Sequence, residues 1–300
     1  MNSGHDYRVQ LGGDARGQEL VEYLAANYRH STRVEWGERI VAGLVSLDGQ
    51  AASPETRLRP GQVLDWRRPP WDEPAVPLEY AVLHEDADLL AVAKPAGLPT
   101  MPAGGFLENT LLALVRRRDP AWAPMHRLGR GTSGLVVFAR EPSVRAGLQE
   151  AWRGHEVRKD YLAVAEGAVP EGPFDVTAPI GRRRHPVLGA LHAADPGGRP
   201  ASSTVKLLGR AGGGSLVQVR IATGRPHQIR IHLAWAGHPL AGDPLYGPGG
   251  VPREGTAALP GDLGYRLHAW RLGFAHPGTG RLLELEAPLP KWAVFGSENA

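Results

Sequence analysis

Hydrophobic residues in the first seventy positions recur first with helical spacing and then with the spacing of strands. Apolar positions three and four apart predict a helix over residues 18–29 and a shorter one over 38–44. Residues 45–50 alternate and end with Asp48-Gly49, a pair typical of a tight hairpin turn. Residues 62–66 predict one further strand, so this region is expected to form a small module of helices and strands.

Prolines separate this first region from a larger one. Four prolines fall within residues 69–78, which is typical of a semi-rigid linker between domains. The polar, glycine-containing residues 1–13 predict a flexible tail. We therefore predict a module over residues 14–68 and a larger domain over residues 79–295.

The larger region combines strands and helices in a pattern that predicts an α+β fold. Alternating or continuous apolar runs predict strands over residues 80–84, 89–94, 135–139, 158–165, 201–208 and 216–222. Helices are predicted over residues 109–118, with Asn109 as the N-cap, and over residues 141–155. Residues 181–200 are rich in glycine, proline and arginine and predict a loop that touches the protein's partner.

Composition favours a nucleic acid as that partner. Three hundred residues are ample for a hydrophobic core, and 42% of them are hydrophobic and 22% charged. The net charge is +3 with a pI of about 9.3, and most cations are arginines, which suit phosphates and bases. No cysteine is present, which excludes disulfides and thiolate chemistry. Without a signal-peptide pattern or an apolar run of membrane-spanning length, we expect a monomeric, cytoplasmic protein with no membrane contact.

Chemistry is concentrated in the stretch from Met125 to Leu135. His126 and Arg127 precede a turn with glycines at 129, 131 and 134, which allow close approach of the backbone to a ligand. Arg130 and the free N–H groups of such a turn suit an anion. The residues alone leave two interpretations open, a site for a negatively charged ligand or a plain connection into the following strand.

The stretch resembles the signature loop of RluA-type RNA pseudouridine synthases, His-Arg-Leu-x-Arg-x-Thr-Ser-Gly-Leu. In that family an aspartate, the catalytic residue, follows the leucine, whereas this chain has Gly129. Further motifs match in order over about residues 79–290. They are Lys94-Pro95-Ala96-Gly97, Lys159-Asp160-Tyr161-Leu162-Ala163, the run Thr223–Leu233 with Gly237–Gly247, and Leu267–Pro277.

The resemblance implies a fold and a reaction. The fold would be α+β, with a mixed, mainly antiparallel sheet of the pseudouridine synthase type, flanking helices and a central cleft, preceded by a small S4-like RNA-binding module. The reaction would convert uridine to pseudouridine in structured RNA, rRNA or tRNA, without cofactor or metal. Tyr161 would lie against the target base, and Arg230 would be the partner of the family's aspartate. The residues expected to bind RNA are His126, Arg127, Arg130, Arg225, His227 and Gln228.

The missing carboxylate has no evident replacement in the sequence. Neighbouring strand residues face opposite ways, so Asp160 should point away from the pocket that Tyr161 faces. We expect Asp243 to fix its own turn, while only the tertiary structure could bring Asp119 close. A buried Arg230 without its acid would be costly, which predicts a wetter pocket or a bound anion beside it. We also expect Gly129→Asp to raise activity.

Two alternatives remain open. The first is an RNA-binding relative that has lost catalysis and acts as an RNA chaperone or ribosome-assembly factor. His227, His232 and His238 are candidate zinc ligands, although their spacing lacks the four-residue helical pair of zinc helices. The synthase interpretation is the one that the motifs favour.

Overall fold

The structure, a computed structural model, describes residues 1–185, 189–211 and 213–294. It divides into two compact units, one from Met1 to Glu73 and one that begins at Pro74. This division lies inside the proline-rich segment predicted as a linker. The elements of the first unit are strands β1 (His5–Gln10), β2 (Val45–Leu47), β3 (Gln50–Ala51) and β4 (Val63–Arg68), with helices α1 (Leu20–Asn27) and α2 (Arg33–Val41).

The first unit is a four-stranded sheet in the order β1-β4-β2-β3, packed on two helices. Thr32 and Glu35 form a reciprocal capping box that starts α2 at Arg33, five residues before the predicted start. Trp36 and Leu24 are buried in the core between the helices and the sheet. The resemblance of this unit to an S4 module remains a prediction.

The flexible tail expected over residues 1–13 is wrong for most of its length. Residues His5–Gln10 form β1, an antiparallel partner of β4 from His5 opposite Arg68 to Gln10 opposite Val63. Asn2 also donates a hydrogen bond to the Glu73 carboxylate at 2.8 Å. The polar sequence belongs to an exposed edge strand, whose pairing lies far along the chain.

The second unit contains fourteen strands in its described residues, ten in one large sheet and four in two separate two-stranded sheets. Its strands are β5 (Ala81–Glu85), β6 (Leu89–Lys94), β7 (Ala123–Pro124), β8 (Ser133–Ala139), β9 (Arg158–Glu166), β10 (Phe174–Val176), β11 (Ile180–His185), β12 (Gly189–Ala194), β13 (Ser203–Ala211), β14 (Gly214–Ile221), β15 (Tyr246–Gly247), β16 (Val251–Pro252), β17 (Leu267–Ala275) and β18 (Leu282–Glu286). Its helices are α3 (Leu111–Arg118), α4 (Pro142–Arg153) and α5 (Gln228–Trp235). This is the mixed α+β architecture with a mainly antiparallel sheet that was expected.

The main sheet runs in the order β10-β13-β14-β9-β17-β8-β6-β5, with β18 paired to β17 and β7 to β8. Strand β17, from the last part of the chain, lies between β9 and β8, and is parallel to β8. Hydrophobic cores form on the β6–β8–β17 part and on the β9–β13–β14 part. The loop ahead of β8 and the residues ahead of β17 are therefore brought to the same end of the sheet.

Two local expectations need correction. Residues 181–200, expected to be a loop, contain the antiparallel pair β11–β12, with Ile180 opposite Ala194 and His185 opposite Gly189; residues 186–188 lie outside the described part. Helix α3 is capped by Thr110, whose hydroxyl accepts a hydrogen bond from the Ala113 N–H, and not by Asn109. Within the described residues, no helix is long and apolar enough to cross a membrane.

Candidate active site

The signature loop is anchored by hydrogen bonds to the Lys94-Pro95-Ala96-Gly97 motif at the end of β6. The ammonium group of Lys94, which is buried, donates to the carbonyl oxygens of Pro95 at 2.9 Å, Leu98 at 2.7 Å and Arg130 at 3.4 Å. Gly97 donates its N–H to the same Arg130 carbonyl at 2.8 Å. Burial lowers the pKa of Lys94 to about 7, whereas the three acceptors favour the charged form.

A second anchor fixes the middle of the loop. The Thr100 hydroxyl donates to the Leu128 carbonyl at 3.0 Å and accepts from the Leu128 N–H at 3.2 Å. Leu128 is buried while Gly129, the next residue, is exposed. The backbone at position 129 is therefore presented at the surface by an anchored neighbour.

The loop enters β8 through a close contact with β17. Gly134, with φ of 107°, faces Ala269 of β17, and a Cβ atom there would overlap the Ala269 backbone. The Ser133 hydroxyl bonds to Nδ1 of His268 at 2.8 Å. Burial lowers the pKa of His268 to about 4, so this histidine is neutral. These contacts explain why the motifs around residues 133 and 268 belong together.

Tyr161 of β9 lies on the same part of the sheet. It is paired with Ala269 of β17 on one side and Val219 of β14 on the other. Its half-buried ring packs against the hydrophobic cluster that contains Tyr265. Burial raises the pKa of the Tyr161 phenol to about 12, so it carries its proton at neutral pH.

Arg230 is not the unpaired charge that the sequence led us to expect. Its Nε and Nη2 atoms donate to Oδ2 and Oδ1 of Asp243, both at 2.7 Å, and Nη1 donates to the Pro260 carbonyl at 2.9 Å. Arg230 is 2% exposed and Asp243 3%. Burial alone would lower the pKa of Arg230, but the bonds to Asp243 raise it. The expectation of a wet pocket or a bound anion here is therefore wrong.

Asp243 has two tasks at once. Its Oδ1 atom also accepts the N–H groups of Leu245 at 2.9 Å and Tyr246 at 3.0 Å, which fixes the Gly-Asp-Pro turn as expected. The guanidinium of Arg230 lies 5.0 Å from the centre of the Tyr246 ring and 4.3 Å from that of Tyr265. The turn, the arginine and the two tyrosines thus form one packed group.

His227 begins α5 in a strained conformation. Its φ of 56° is in the left-handed region, which is uncommon for a residue other than glycine and is often found at functional sites. Its Nδ1 atom bonds to the Tyr246 hydroxyl at 2.7 Å, and that hydroxyl donates to the His192 carbonyl of β12 at 2.7 Å. Burial lowers the pKa of His227 to about 3, with smaller contributions from nearby charges, among them those of Arg230 and Arg127.

Gly129 and Gly131 both face Tyr265. A Cβ atom on Gly129 would lie 3.2 Å from the Tyr265 hydroxyl oxygen, and one on Gly131 would lie 2.8 Å from the ring carbon that bears it. The hydroxyl is also 3.4 Å from Oγ1 of Thr132. Tyr265 is thus inserted between the signature loop and Arg230.

The other two acids considered from the sequence are engaged elsewhere. Asp160 is fully buried and accepts hydrogen bonds from Arg158, Arg220 and Gln218 at 2.8–3.0 Å. Burial alone would raise its pKa, but the bonds from these three side chains lower it. Asp119 pairs with Arg140 at 3.1 Å. Neither carboxylate replaces the missing one.

The residues predicted to bind RNA differ in their surroundings. Arg127 is exposed, Arg130 donates to the Gly261 carbonyl at 2.9 Å and Arg225 to the Pro200 carbonyl at 3.0 Å. Gln228 is 3% exposed and its amide is bonded to internal partners, so RNA contact by Gln228 remains a prediction.

His126 has a structural environment. Its Nε2 atom accepts the Val137 N–H at 3.1 Å, and its ring stacks on Trp152 with a centroid separation of 5.5 Å. Burial, and secondarily the charge of Lys159, lower its pKa to about 4. RNA contact by His126 remains a prediction.

The candidate zinc histidines have other partners. His232 bonds through Nδ1 to the Ser203 hydroxyl at 2.8 Å and through Nε2 to the Ala178 carbonyl at 3.0 Å. His238 bonds to the Glu166 carbonyl at 3.3 Å. Across the described ranges, no group of three histidine or carboxylate side chains could hold a metal ion.

Comparison with known proteins identifies the class. The sequence profile of the RNA pseudouridylate synthase family matches residues 88–235. In structure, the chain resembles human RNA pseudouridylate synthase domain containing 1, with a TM-score of 0.57 and 23% identity over 73% of this chain and 87% of that one. The matched profile is that of the RNA pseudouridylate synthases, and the solved structure shares the fold of this chain.

Relatives cover nearly the whole chain. An uncharacterised RNA pseudouridine synthase of Synechocystis is 44% identical over 90% of this chain and 94% of its own. RNA pseudouridine synthase 5 of Arabidopsis thaliana is 37% identical over 97% and 94%. Ribosomal large subunit pseudouridine synthase D of Xanthomonas campestris is 34% identical over 92% and 87%. This chain belongs to the RluA-type family of RNA pseudouridine synthases.

Sequence reasoning missed Tyr265, Tyr246 and His192. No local pattern marks Tyr265, because the glycines that it contacts lie more than 130 residues earlier. Tyr246 does stand in a matched motif, and its position directly after the Asp243 turn could have indicated it. His192 lies in the segment expected to be a loop.

Proposed function

We propose that this synthase isomerises uridine in a structured RNA, either rRNA or tRNA. The observation that carries the proposal is the grouping of the signature loop, Tyr161 and the Arg230–Asp243 pair at one end of the sheet. Two of the curated relatives that match nearly the whole chain are named RNA pseudouridine synthases, and another is named for the large ribosomal subunit. The protein is proposed to work as a cytoplasmic monomer.

Each side chain has a task that its position allows. A uridine inside a helix must leave the stack before its glycosidic bond can be reached. Arg127, whose side chain is exposed in the signature loop, would hold a backbone phosphate and fill the vacated gap. Tyr161, kept protonated by burial, offers its ring to the base and a hydroxyl for proton transfer near C5. The Arg230–Asp243 pair keeps the floor of the site rigid.

A second candidate function rests on the loop itself. Position 129 carries no carboxylate, and Asp160 and Asp243 are each fully bonded to arginine. A chain with this arrangement and no other catalytic group would bind RNA without modifying it, as a chaperone or assembly factor.

One experiment separates the two. RNA from cells lacking the protein is incubated with the purified wild-type chain, and pseudouridine is mapped by mass spectrometry. Formation at a site that is also modified in normal cells supports the synthase. Tight RNA binding with no pseudouridine, in the test tube and in complemented cells, supports the second candidate. Arg127→Ala, on an exposed side chain, should weaken RNA binding without loss of fold.

A further inference from the structure

Two of the three glycines in the signature loop, Gly129 and Gly131, are explained by a neighbouring side chain and not by their own backbone conformation. Neither Gly129 nor Gly131 has a φ in the left-handed region, so L-residues could adopt their conformations. Both are in contact instead with Tyr265, since Cβ atoms would lie 3.2 Å from its hydroxyl oxygen and 2.8 Å from its ring. The loop sequence and Tyr265 are therefore matched to one another.

The Tyr265 hydroxyl oxygen lies close to the space that the side chain of a larger residue at position 129 would enter. It lies beside the exposed backbone of Gly129 and 3.4 Å from Thr132 Oγ1. The remainder of the ring is buried, the whole residue being 6% exposed. A ring held by packing, with its hydroxyl oxygen beside position 129, is a preorganised group of the kind that catalysis uses.

The Tyr265 ring also packs against the guanidinium of Arg230. The guanidinium of Arg230 is 4.3 Å from the ring centre, within the range of a cation–π contact. Because Asp243 neutralises that arginine, the pair supports the ring without placing a net positive charge beneath it.

We propose that Tyr265 is a catalytic residue of this synthase and supplies, through its hydroxyl oxygen, the function that a carboxylate at position 129 would have. The inference rests on the proposed function, because it assigns a group to that reaction. The structure places no other oxygen of Tyr, Asp or Glu beside the Cβ position of residue 129 among the contacts described within 4 Å.

The chemistry balances without any further reactant. The N1–C1′ bond breaks with its electron pair remaining on N1, and the Tyr265 oxygen stabilises the positive charge that develops at C1′. After the base turns, C5 gives an electron pair to C1′ and a carbon–carbon bond forms. The C5 proton then leaves and N1 takes up a proton, so that the net change is an isomerisation.

The first test removes one atom. Tyr265→Phe keeps the ring against Arg230 and Gly131, so the fold should be retained. On RNA labelled with tritium at C5 of uridine, we expect kcat to fall by about a hundredfold, the usual effect of losing one preorganised group. The dissociation constant for the same RNA should stay within about twofold, whereas a merely structural role would alter binding and melting temperature. Tyr23→Phe, an equally buried tyrosine of the first unit, is the matched control and should leave kcat unchanged.

The second test removes the Tyr265 hydroxyl and introduces a carboxylate at position 129. In Tyr265→Phe the space beside Gly129 is enlarged by one hydroxyl, so the double variant Gly129→Asp/Tyr265→Phe can hold a carboxylate there. We expect it to recover at least tenfold of the activity lost in the single variant. Recovery supports the assignment, and failure of a folded double variant to recover any activity counts against it.

The outcomes of the two proposals differ. An active wild-type chain whose Tyr265→Phe variant is equally active overturns the role of Tyr265 and leaves the synthase function in place. A wild-type chain that forms no pseudouridine overturns the proposed function, and the role of Tyr265 with it. An active wild type, an inactive but folded and RNA-binding Tyr265→Phe variant, and an unaffected Tyr23→Phe variant support both.

Discussion

The turn around Asp243 and the signature loop are both held by side-chain contacts, but the contacting residues are close in sequence in the first and far apart in the second. Arg230 and Asp243 are thirteen residues apart, and their bidentate pair is buried inside one helix–turn segment. Gly129 and Tyr265 are 136 residues apart and meet only when the sheet has formed. In the first region, the charge of Arg230 is neutralised by a residue nearby in sequence. In the second, the loop packs against Tyr265, a side chain that is distant in sequence.

This difference indicates which positions of the family's motifs can be substituted without unfolding the protein. A local ion pair ties its two members together, since either partner alone is a buried charge. The loop has no such constraint, because its glycines are held by neutral packing and by the anchors at Lys94 and Thr100. The position that departs from the family is thus in the region that can accept a replacement from elsewhere.

The largest expected effect comes from breaking the local pair. Asp243→Asn leaves Arg230 buried without its carboxylate, so the free energy of unfolding should fall by about 3–5 kcal/mol. Urea denaturation of both proteins measures this. Glu171→Gln, which removes the exposed pair with Arg210, is the control and should cost less than about 1 kcal/mol. Equal losses in the two variants would contradict the contrast.

The next effect tests the loop through pH. His126 has a folded pKa of about 4, below its ordinary value, so the unfolded chain binds its proton first as the pH falls. Wild-type stability should decline by roughly 1.4 kcal/mol for each pH unit between about 6.5 and 4 on account of this group. His126→Gln lacks that decline, so the stability difference between wild type and variant should shrink on acidification. Parallel curves in urea titrations would show that His126 is not kept neutral by the fold.

The smallest expected effect is the difference in stability between substitutions at Gly129 and at Gly131. Gly131→Ala places a methyl group 2.8 Å from the Tyr265 ring and should cost about 1–3 kcal/mol, as overpacking does. Gly129→Ala meets only the hydroxyl at 3.2 Å and should cost less than about 1 kcal/mol. In a Tyr265→Leu background the Gly131→Ala penalty should fall, which a double-mutant cycle measures. A larger cost at position 129 than at 131 would contradict the closer packing of Tyr265 against Gly131.

Local patterns in the sequence were sufficient for much of the framework. The helix predicted over residues 141–155 corresponds to α4, and the apolar runs correspond to β6, β8 and β9. The confirmed family follows from motifs that are contiguous in sequence. The first strand was missed because its residues are polar and its partner, β4, lies about fifty residues further on.

The site was less predictable for the same physical reason. The Asp243 turn was expected, but its second role toward Arg230 depends on how α5 and the turn pack. The pairing of Gly129 with Tyr265 leaves no periodicity or spacing in the chain. Contacts over such distances are set by the topology of the sheet and not by local preference.

The position of β17 has a consequence for synthesis on the ribosome. This strand completes the sheet between β9 and β8, and carries the residues that meet the signature loop. A nascent chain that ends before Leu267 has therefore made both halves of the domain but cannot join them. Folding to the active form must wait until Leu267–Ala275 has emerged, so a chain truncated before Leu267 lacks the strand that joins β8 to β9.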